Sequence, residues 1–147
     1  MYLVDTNVLS ELRRSRRDSN VIAWLAGIPV DGLHLSVITV GEITKGIAKV
    51  RRARSAKAAA DADALQSWLE GLLSDYSQRI LPVTVPIATR WGRLCDAFPQ
   101  FPTDMLIAAT ALEHDLTVAT RNVDHFRPAR VRVVNPFDSA GGRGPRR

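Results

Sequence analysis

The feature that most constrains the fold is an alternation of short apolar segments with longer helical segments along most of the chain. Short apolar runs separated by helices are typical of parallel strands, because a parallel pair needs a crossover connection between its strands. We therefore predict an α/β fold of three layers, α/β/α, around a short and mainly parallel central sheet. The predicted strands are residues 2–4, 33–37, 80–81, 117–120 and 131–134.

Helices are predicted between these strands from apolar spacing and capping residues. The clearest is MLIAATALEHD, which Pro102-Thr103-Asp104 opens. Its residues 105–112 are apolar apart from Thr110, so we expect most of its circumference to be buried. The other predicted helices follow Asp5-Thr6-Asn7 and cover residues 21–26, 39–50, 56–76 and 86–97.

The length of 147 residues is that of one domain with its own core. We predict a folded domain over residues 1–138 and a flexible basic tail over residues 139–147, which are rich in glycine and arginine. The single cysteine, Cys95, excludes an internal disulfide and a cysteine-based zinc cluster, and it favours a reducing compartment such as the cytoplasm. No apolar run approaches the roughly 20 residues that span a bilayer, so we expect no membrane association.

The net charge is +5, and the basic residues are clustered. Such clusters favour a polyanionic partner, because they neutralise phosphates; a solvated helix face is the alternative interpretation. The clusters are Arg13, Arg14, Arg16 and Arg17, and then Lys45, Lys49, Arg51, Arg52, Arg54 and Lys57.

Three acidic residues stand at the ends of predicted elements. Asp5 follows the first strand, Glu42 falls in about the first turn of the helix after the second strand, and Asp104 begins the buried helix. Ligands of an open α/β sheet bind outside the carboxyl ends of its strands, so we expect these carboxylates to converge at one edge. Carboxylate oxygens suit Mg²⁺ or Mn²⁺, and the pattern therefore predicts a divalent-metal site.

Each acid also has a simpler explanation. Asp5 is well placed to cap the helix that follows it, and Asp104 is an ordinary acid for a first helical turn. On a helical wheel Glu42 opposes the apolar positions of its helix and shares a face with Lys45, which favours an exposed ion pair. Spacing alone leaves these explanations open.

Four blocks of sequence resemble a known family. YLVDTNVLSEL, SVITVGEITKGI, PTDMLIAATALEHDLTVATRNVDHF and VRVVNPF resemble the PIN-domain nucleases, specifically the VapC-type toxins of bacterial type II toxin–antitoxin pairs. The match runs in order and spacing from about residue 2 to residue 137. It implies that Asp5, Glu42 and Asp104 are the family's first three acids, and that the family's fourth position, often an acid, falls at Asn122.

Two positions depart from the family's pattern. A neutral amide at Asn122 leaves three carboxylates, which favours one metal ion over two because fewer charges are available to neutralise them. Asp124 is close in sequence to Asn122, but its spacing gives no reason to assign it the role of the family's fourth acid. Where the family frequently has an acid before the phenylalanine, this chain has His125, which we expect to be an uninvolved loop histidine because it has no ligand spacing with His114.

The resemblance implies a metal-dependent endoribonuclease that acts as the toxin of a toxin–antitoxin pair and hydrolyses RNA phosphodiester bonds with Mg²⁺ or Mn²⁺ as cofactor. Asp5 and Asp104 are then direct metal ligands, with Glu42 binding directly or through water. Asn122 completes the catalytic set. The residues implied to support the site are Thr6, Asn7 and Ser36.

The same resemblance implies several partners. The RNA substrate is single-stranded or looped, and Arg51, Arg52 and Arg54 are candidates for holding its phosphates. A cognate antitoxin blocks the site with its C-terminal segment, and a groove near residues 40–50 and 62–73 is a candidate docking surface. A homodimer and a toxin–antitoxin hetero-oligomer are expected, with operator DNA bound only through the antitoxin.

Two other kinds of function fit parts of the sequence: a non-catalytic binding role and phosphotransfer. A non-catalytic partner in an antitoxin complex that binds operator DNA is disfavoured by the three acids and kept open by Asn122. Phosphotransfer domains of the haloacid-dehalogenase or receiver type also place an aspartate after the first strand. The former need a second aspartate where this chain has Asn7, and the latter need paired acids within residues 1–4, which have none.

Overall fold

Five parallel strands form the centre of the molecule. The computed structural model describes residues 1–138, so the predicted tail at 139–147 lies outside the described residues. The strand order across the sheet is β3-β2-β1-β4-β5, and every neighbouring pair is parallel. The strands are β1 (Tyr2–Val4), β2 (Leu33–Ser36), β3 (Ile80–Leu81), β4 (Thr117–Ala119) and β5 (Val133–Val134).

Helices fill the connections, as the alternation of the sequence predicts. They are α1 (Thr6–Leu9), α2 (Ser19–Ala26), α3 (Val37–Arg51), α4 (Ala56–Asp75), α5 (Val85–Ala97), α6 (Pro102–Glu113) and α7 (Val123–Phe126), with 3₁₀ turns at Ser10–Arg13, Val30–Gly32 and Arg127–Ala129. The sequence did not predict α7, because four residues are too few to show a helical period.

The predicted strand at 33–37 is one residue too long. The Ser36 hydroxyl accepts a hydrogen bond from the Ile38 N–H at 3.1 Å and so caps α3, which already includes Val37. The last predicted strand, 131–134, begins two residues early, because β5 pairs with β4 only from Val133 onward.

Two apolar cores lie on opposite faces of the sheet, since consecutive strand residues point to opposite sides. Leu3 packs into one core with α6, while its neighbour Val4 packs into the other with α3 and α4. The prediction that α6 is buried on most of its circumference is confirmed, because residues 107–111 are all buried. The three-layer α/β/α architecture is therefore confirmed.

The order of the strands reverses at β1. The chain proceeds from β1 to β2 and β3 on one side, and β4 then pairs with the other side of β1. Such a switch point opens a crevice at the carboxyl ends of the two strands that flank it. The crevice here lies beyond Val4 and Ala119.

No helix within the described range, residues 1–138, is long and apolar enough to cross a membrane.

Burial of α6 predicts a stability difference. Ile107 is fully buried and Leu73 of α4 is 37% exposed. We expect Ile107→Ala to lower the free energy of unfolding by about 2–5 kcal/mol, because it removes buried methyl groups and leaves a cavity. The matched change Leu73→Ala is expected to cost less than about 1 kcal/mol. Urea unfolding of both variants measures this, and equal losses would contradict the packing described.

Candidate active site

The Asp5 carboxylate occupies the centre of the crevice. Asp5 follows β1, and its backbone N–H donates to the Ala119 carbonyl at 3.0 Å, which extends the pairing with β4. Its Oδ1 accepts from the Thr6 N–H at 2.7 Å, and its Oδ2 accepts from Asn7 Nδ2 at 2.6 Å and Thr120 Oγ1 at 2.7 Å. The residue is 4% exposed. Asp5 therefore caps α1, as the simpler explanation proposed, and is also a buried carboxylate facing the crevice.

The electrostatic environment of Asp5 is unfavourable to its charge. The pKa of Asp5 is raised from 3.8 to about 6, mainly by burial, with a further contribution from the negative charges of Glu42 and Asp104; the hydrogen bonds from Thr120 and Thr6 act in the opposite direction. Glu42 and Asp104 thus lie close enough to Asp5 for their charges to act on it. The three acids that the sequence singled out are brought to the same crevice.

Glu42 reaches the crevice from α3. Its Oε2 accepts a hydrogen bond from the Thr6 hydroxyl at 2.6 Å, so Thr6 contacts both Asp5 and Glu42. Glu42 is the sixth residue of α3 and lies in the second turn rather than the first. The exposed Glu42–Lys45 ion pair suggested by the helical wheel does not form among residues 1–138, because the partner of Glu42 comes from a different element.

Asp104 lies in the first turn of α6 and contacts His125. Asp104 Oδ2 is 2.8 Å from His125 Nδ1, and the imidazole stacks on the Phe101 ring with centroids 4.1 Å apart and planes inclined by 16°. His125 therefore contacts one of the three acids predicted for the site, and its role in the reaction stays a prediction. The contact joins residues that are 21 apart in sequence, and the spacing of His125 to other histidines did not predict it.

Thr120 is a site residue that the sequence analysis missed. It is fully buried, donates to Asp5, and accepts from Asn7 Nδ2 and from the Asn122 N–H, both at 3.0 Å. Asn7 Oδ1 also accepts from the Arg121 N–H at 3.1 Å. These bonds fasten the loop after β4 to the end of β1. The available signal was a polar residue directly after an apolar strand, at the edge where ligands bind.

The remaining predicted residues differ in their position. Asn122 is exposed and stands before α7, and its side chain does not cap that helix. Its catalytic role stays a prediction. Ser36 is fully buried and its hydroxyl caps α3. Asp124 forms an exposed ion pair with Arg127 at 3.1 Å, so its carboxylate has a partner within α7 and its 3₁₀ extension.

The basic cluster stands at the far end of α3. Arg51 donates to Asp63 at 2.9 Å on the solvent side, and Arg52 and Arg54 are also exposed. Glu42 and Arg51 are nine residues apart on the same helix, which corresponds to about 14 Å at 1.5 Å per residue. Their role in binding RNA stays a prediction.

A second buried carboxylate, Glu11, shows how this fold compensates a structural acid. Glu11 is 1% exposed, accepts from Arg14 at 2.7 Å and the Asp18 N–H at 2.9 Å, and lies 3.6 Å from the Arg121 guanidinium. That guanidinium lies 3.8 Å from the Phe137 ring centroid. Two arginines therefore neutralise Glu11, and its environment differs from that of Asp5.

The crevice acids lack such cations. No lysine or arginine within residues 1–138 forms an ion pair with Asp5, Glu42 or Asp104. In the same part of the chain, no group of three or more His, Cys, Asp or Glu side chains is gathered closely enough to hold a metal ion. The crevice is thus a site of uncompensated negative charge in which the carboxylates remain separate.

The raised pKa of Asp5 predicts how stability depends on pH in protein freed of divalent ions. Between the pKa of 3.8 in the unfolded chain and about 6 in the folded chain, the folded state keeps a proton that the unfolded state has lost. The stability linked to this group is therefore complete below about pH 4 and lost as the pH rises through about 6. The total loss is of the order of 3 kcal/mol.

Denaturant unfolding in EDTA, from about pH 4 to about pH 7, measures the effect. The stability of the wild-type protein relative to Asp5→Asn is expected to fall over this range, because the amide does not titrate. Asp63→Asn, which removes an exposed acid, serves as the control and should run parallel to wild type. Parallel profiles for wild type and Asp5→Asn would refute the prediction.

Comparison with known proteins agrees with this geometry. Residues 2–131 match the PIN domain family. The chain is 35% identical over 143 residues to "Toxin FitB" of Neisseria gonorrhoeae, covering 93% of this chain and 99% of that protein. It is 33% identical over 149 residues to "VapC ribonuclease Y4jK" of Sinorhizobium fredii, covering 95% of this chain and all of that protein.

A solved structure extends the agreement to three dimensions. The structure of FitAB bound to an IR36 DNA fragment superposes with a TM-score of 0.78 at 33% identity, covering 94% of this chain and 96% of that chain. The family resemblance of the four sequence blocks is therefore confirmed, which excludes the two phosphotransfer folds. The chain belongs to the PIN-domain family, among its VapC- and FitB-type toxins.

Proposed function

We propose that this chain is the toxin of a toxin–antitoxin pair and acts as a divalent-metal-dependent endoribonuclease. The observation that carries the proposal is the buried Asp5 carboxylate, which shares its crevice with Glu42 and Asp104 without a neutralising lysine or arginine. A buried acid that is left uncompensated lowers stability, so its presence at the switch point favours a role in binding a cation. The relative named as a VapC ribonuclease supports RNA as the substrate.

The donor set suits Mg²⁺ or Mn²⁺. Such hard ions take carboxylate oxygens and keep several waters in their coordination shell. Asp5 and Asp104 would hold the ion directly, and Glu42 through water. When bound, the ion would supply an acidified water and polarise the scissile phosphate.

The chain's own residues have distinct tasks in this proposal. Thr6 orients Glu42 through its hydroxyl, so that the carboxylate is placed to accept the proton of the attacking water. Thr120 and Asn7 hold Asp5 by donating to Oδ2. The RNA is proposed to be single-stranded or looped, and the basic clusters would neutralise its phosphates outside the acidic crevice.

The antitoxin is proposed to dock beside α4. A cavity of about 440 Å³ lies between α3, α4 and the 3₁₀ turn at Ser10–Arg13, overlapping the groove that the sequence predicted. Its walls combine apolar surface with the Arg13 guanidinium, which lies 5.9 Å from the centroid of the Trp68 ring. Operator DNA is proposed to bind only through the antitoxin, supported by the related FitAB structure with DNA. A homodimer and a hetero-oligomer with the antitoxin complete the proposal.

A non-catalytic role on operator DNA is less well supported. A module of that kind gains nothing from the buried and destabilising Asp5 carboxylate, whereas a metal-dependent nuclease requires it.

Substitution of the acids tests the proposal. Asp5→Asn and Asp104→Asn are each expected to reduce Mg²⁺-dependent cleavage of single-stranded RNA at least about 100-fold, because each removes a charged oxygen ligand. Purified variants are compared with Asp115→Asn, which removes an exposed acid beyond the end of α6 and should cleave like wild type. EDTA should abolish cleavage and Mn²⁺ restore it. Full activity of either site variant would overturn the proposal.

Asn122 provides a separate test of the number of metal ions. We expect one divalent ion in the free wild-type protein, because three carboxylates balance one ion and not two. Asn122→Asp should raise Mn²⁺ affinity, since it adds a negative charge beside the crevice. Calorimetric titration with Mn²⁺ compares the two proteins. Equal affinities and stoichiometries would show that Asn122 only shapes the loop after β4.

A further inference from the structure

The pair formed by His125 and Asp104 links two elements of the site. His125 Nδ1 lies 2.8 Å from Asp104 Oδ2, which connects α7 to the first turn of α6. The side chains are 37% and 20% exposed, respectively. Asp104 is also the acid that acts electrostatically on Asp5 from the α6 side. The contact therefore lies at the edge of the crevice and reaches solvent on one side.

The imidazole is held in one orientation. Its ring stacks on Phe101, the residue immediately before α6, with centroids 4.1 Å apart. The next residue in the chain, Phe126, is fully buried in the core that contains α6. The His125 backbone N–H donates to the Asn122 carbonyl at 3.1 Å. A ring with a stacked face and an anchored backbone has little freedom to rotate away from Asp104.

The direction of the hydrogen bond follows from the partners. A carboxylate oxygen accepts and does not donate, so His125 Nδ1 is the donor of this bond and carries a proton. Asp104 Oδ2 is engaged by this bond, while Oδ1 has no hydrogen-bond partner among residues 1–138. The bond thus leaves Oδ1 as the Asp104 oxygen that remains available to bind another group.

The charge that acts on Asp104 from the crevice is that of Asp5, and the neighbouring Asp124 is paired with Arg127. An acid at position 125 would add a fourth negative charge to the crevice. The imidazole adds a hydrogen-bond donor instead. A donor restrains the Asp104 carboxylate without the repulsion that a second carboxylate at 2.8 Å would bring.

We infer that His125 is a positioning residue, which together with Phe101 holds Asp104 so that Oδ1 faces the divalent ion. This inference rests on the proposed function, because the ion is part of it. Hydrogen-bonding partners of metal-binding carboxylates fix the orientation of the ligand and are worth about 10- to 100-fold in metal affinity.

Three variants test the inference through metal binding. His125→Ala removes the donor, and calorimetric Mn²⁺ titration should show a loss of affinity of about tenfold or more. His125→Asn places an amide N–H near the position of Nδ1 and should retain affinity within about threefold of wild type. His114→Ala, at the opposite end of α6, is the matched control and should bind like wild type. Equal affinities for the alanine and wild-type proteins at position 125 would overturn the inference.

Kinetics separate positioning from a direct contact with RNA. His125→Ala should lower kcat for RNA cleavage with an unchanged KM for RNA, and His125→Asn should restore kcat. A raised KM with unchanged Mn²⁺ affinity would overturn the inference, since it would assign His125 to substrate binding. Failure of His125→Asn to restore either quantity would also overturn it.

One measurement requires neither metal nor RNA. Nitrogen-15 chemical shifts of His125 in the metal-free protein should report a proton on Nδ1, and Asp104→Asn should change the distribution of protons between the two ring nitrogens. A wild-type ring protonated on Nε2 alone would overturn the inference. A different outcome is that the wild-type protein has a proton on Nδ1 of His125 but neither binds Mn²⁺ nor cleaves RNA. That outcome would overturn the proposed function, and with it the role of His125 toward the ion.

Discussion

The parallel pairing of β1 with both β2 and β4 is the constraint on which the rest of the structure depends. It places the carboxyl ends of β1 and β4 side by side and opens the crevice between them. Asp5 and Thr120 are 115 residues apart in sequence and form a hydrogen bond at 2.7 Å because of this pairing. A slip of one residue would move Leu3 and Val4 to the wrong faces, so the two cores also fix the register of the site.

The crevice concentrates negative charge that the fold does not neutralise. Glu11, which has no place in the proposed reaction, is buried and contacts Arg14 and Arg121. Asp5 is equally buried, yet its partners are neutral donors, and its pKa is raised to about 6. Two buried acids in one small domain thus have opposite environments. The difference separates a structural carboxylate from one whose charge is left available for a ligand.

Each crevice acid is restrained by at least one hydrogen-bonding neighbour. Thr120 and Asn7 hold Asp5, Thr6 holds Glu42, and His125 contacts Asp104. Hydroxyl, amide and imidazole donors orient a carboxylate oxygen without cancelling its charge, whereas an arginine would do both. The site is therefore rigid and still strongly negative, a combination suited to binding a cation.

Local patterns in the sequence predicted the strands, the longer helices, the three-layer fold and the three acids, because apolar periodicity, Pro102 at a helix start and family blocks are all local; the four-residue α7 shows no such pattern. The sequence by itself did not reveal the contacts of those acids. The helical wheel left open an exposed pair of Glu42 with Lys45, and spacing gave no reason to connect His125 with Asp104. Thr6 and Asp104 approach Glu42 and His125 from other elements, so neither contact could be predicted from local spacing. Strand order and register decide such contacts, and periodicity encodes which face of a segment is buried but not which distant segment will cover it.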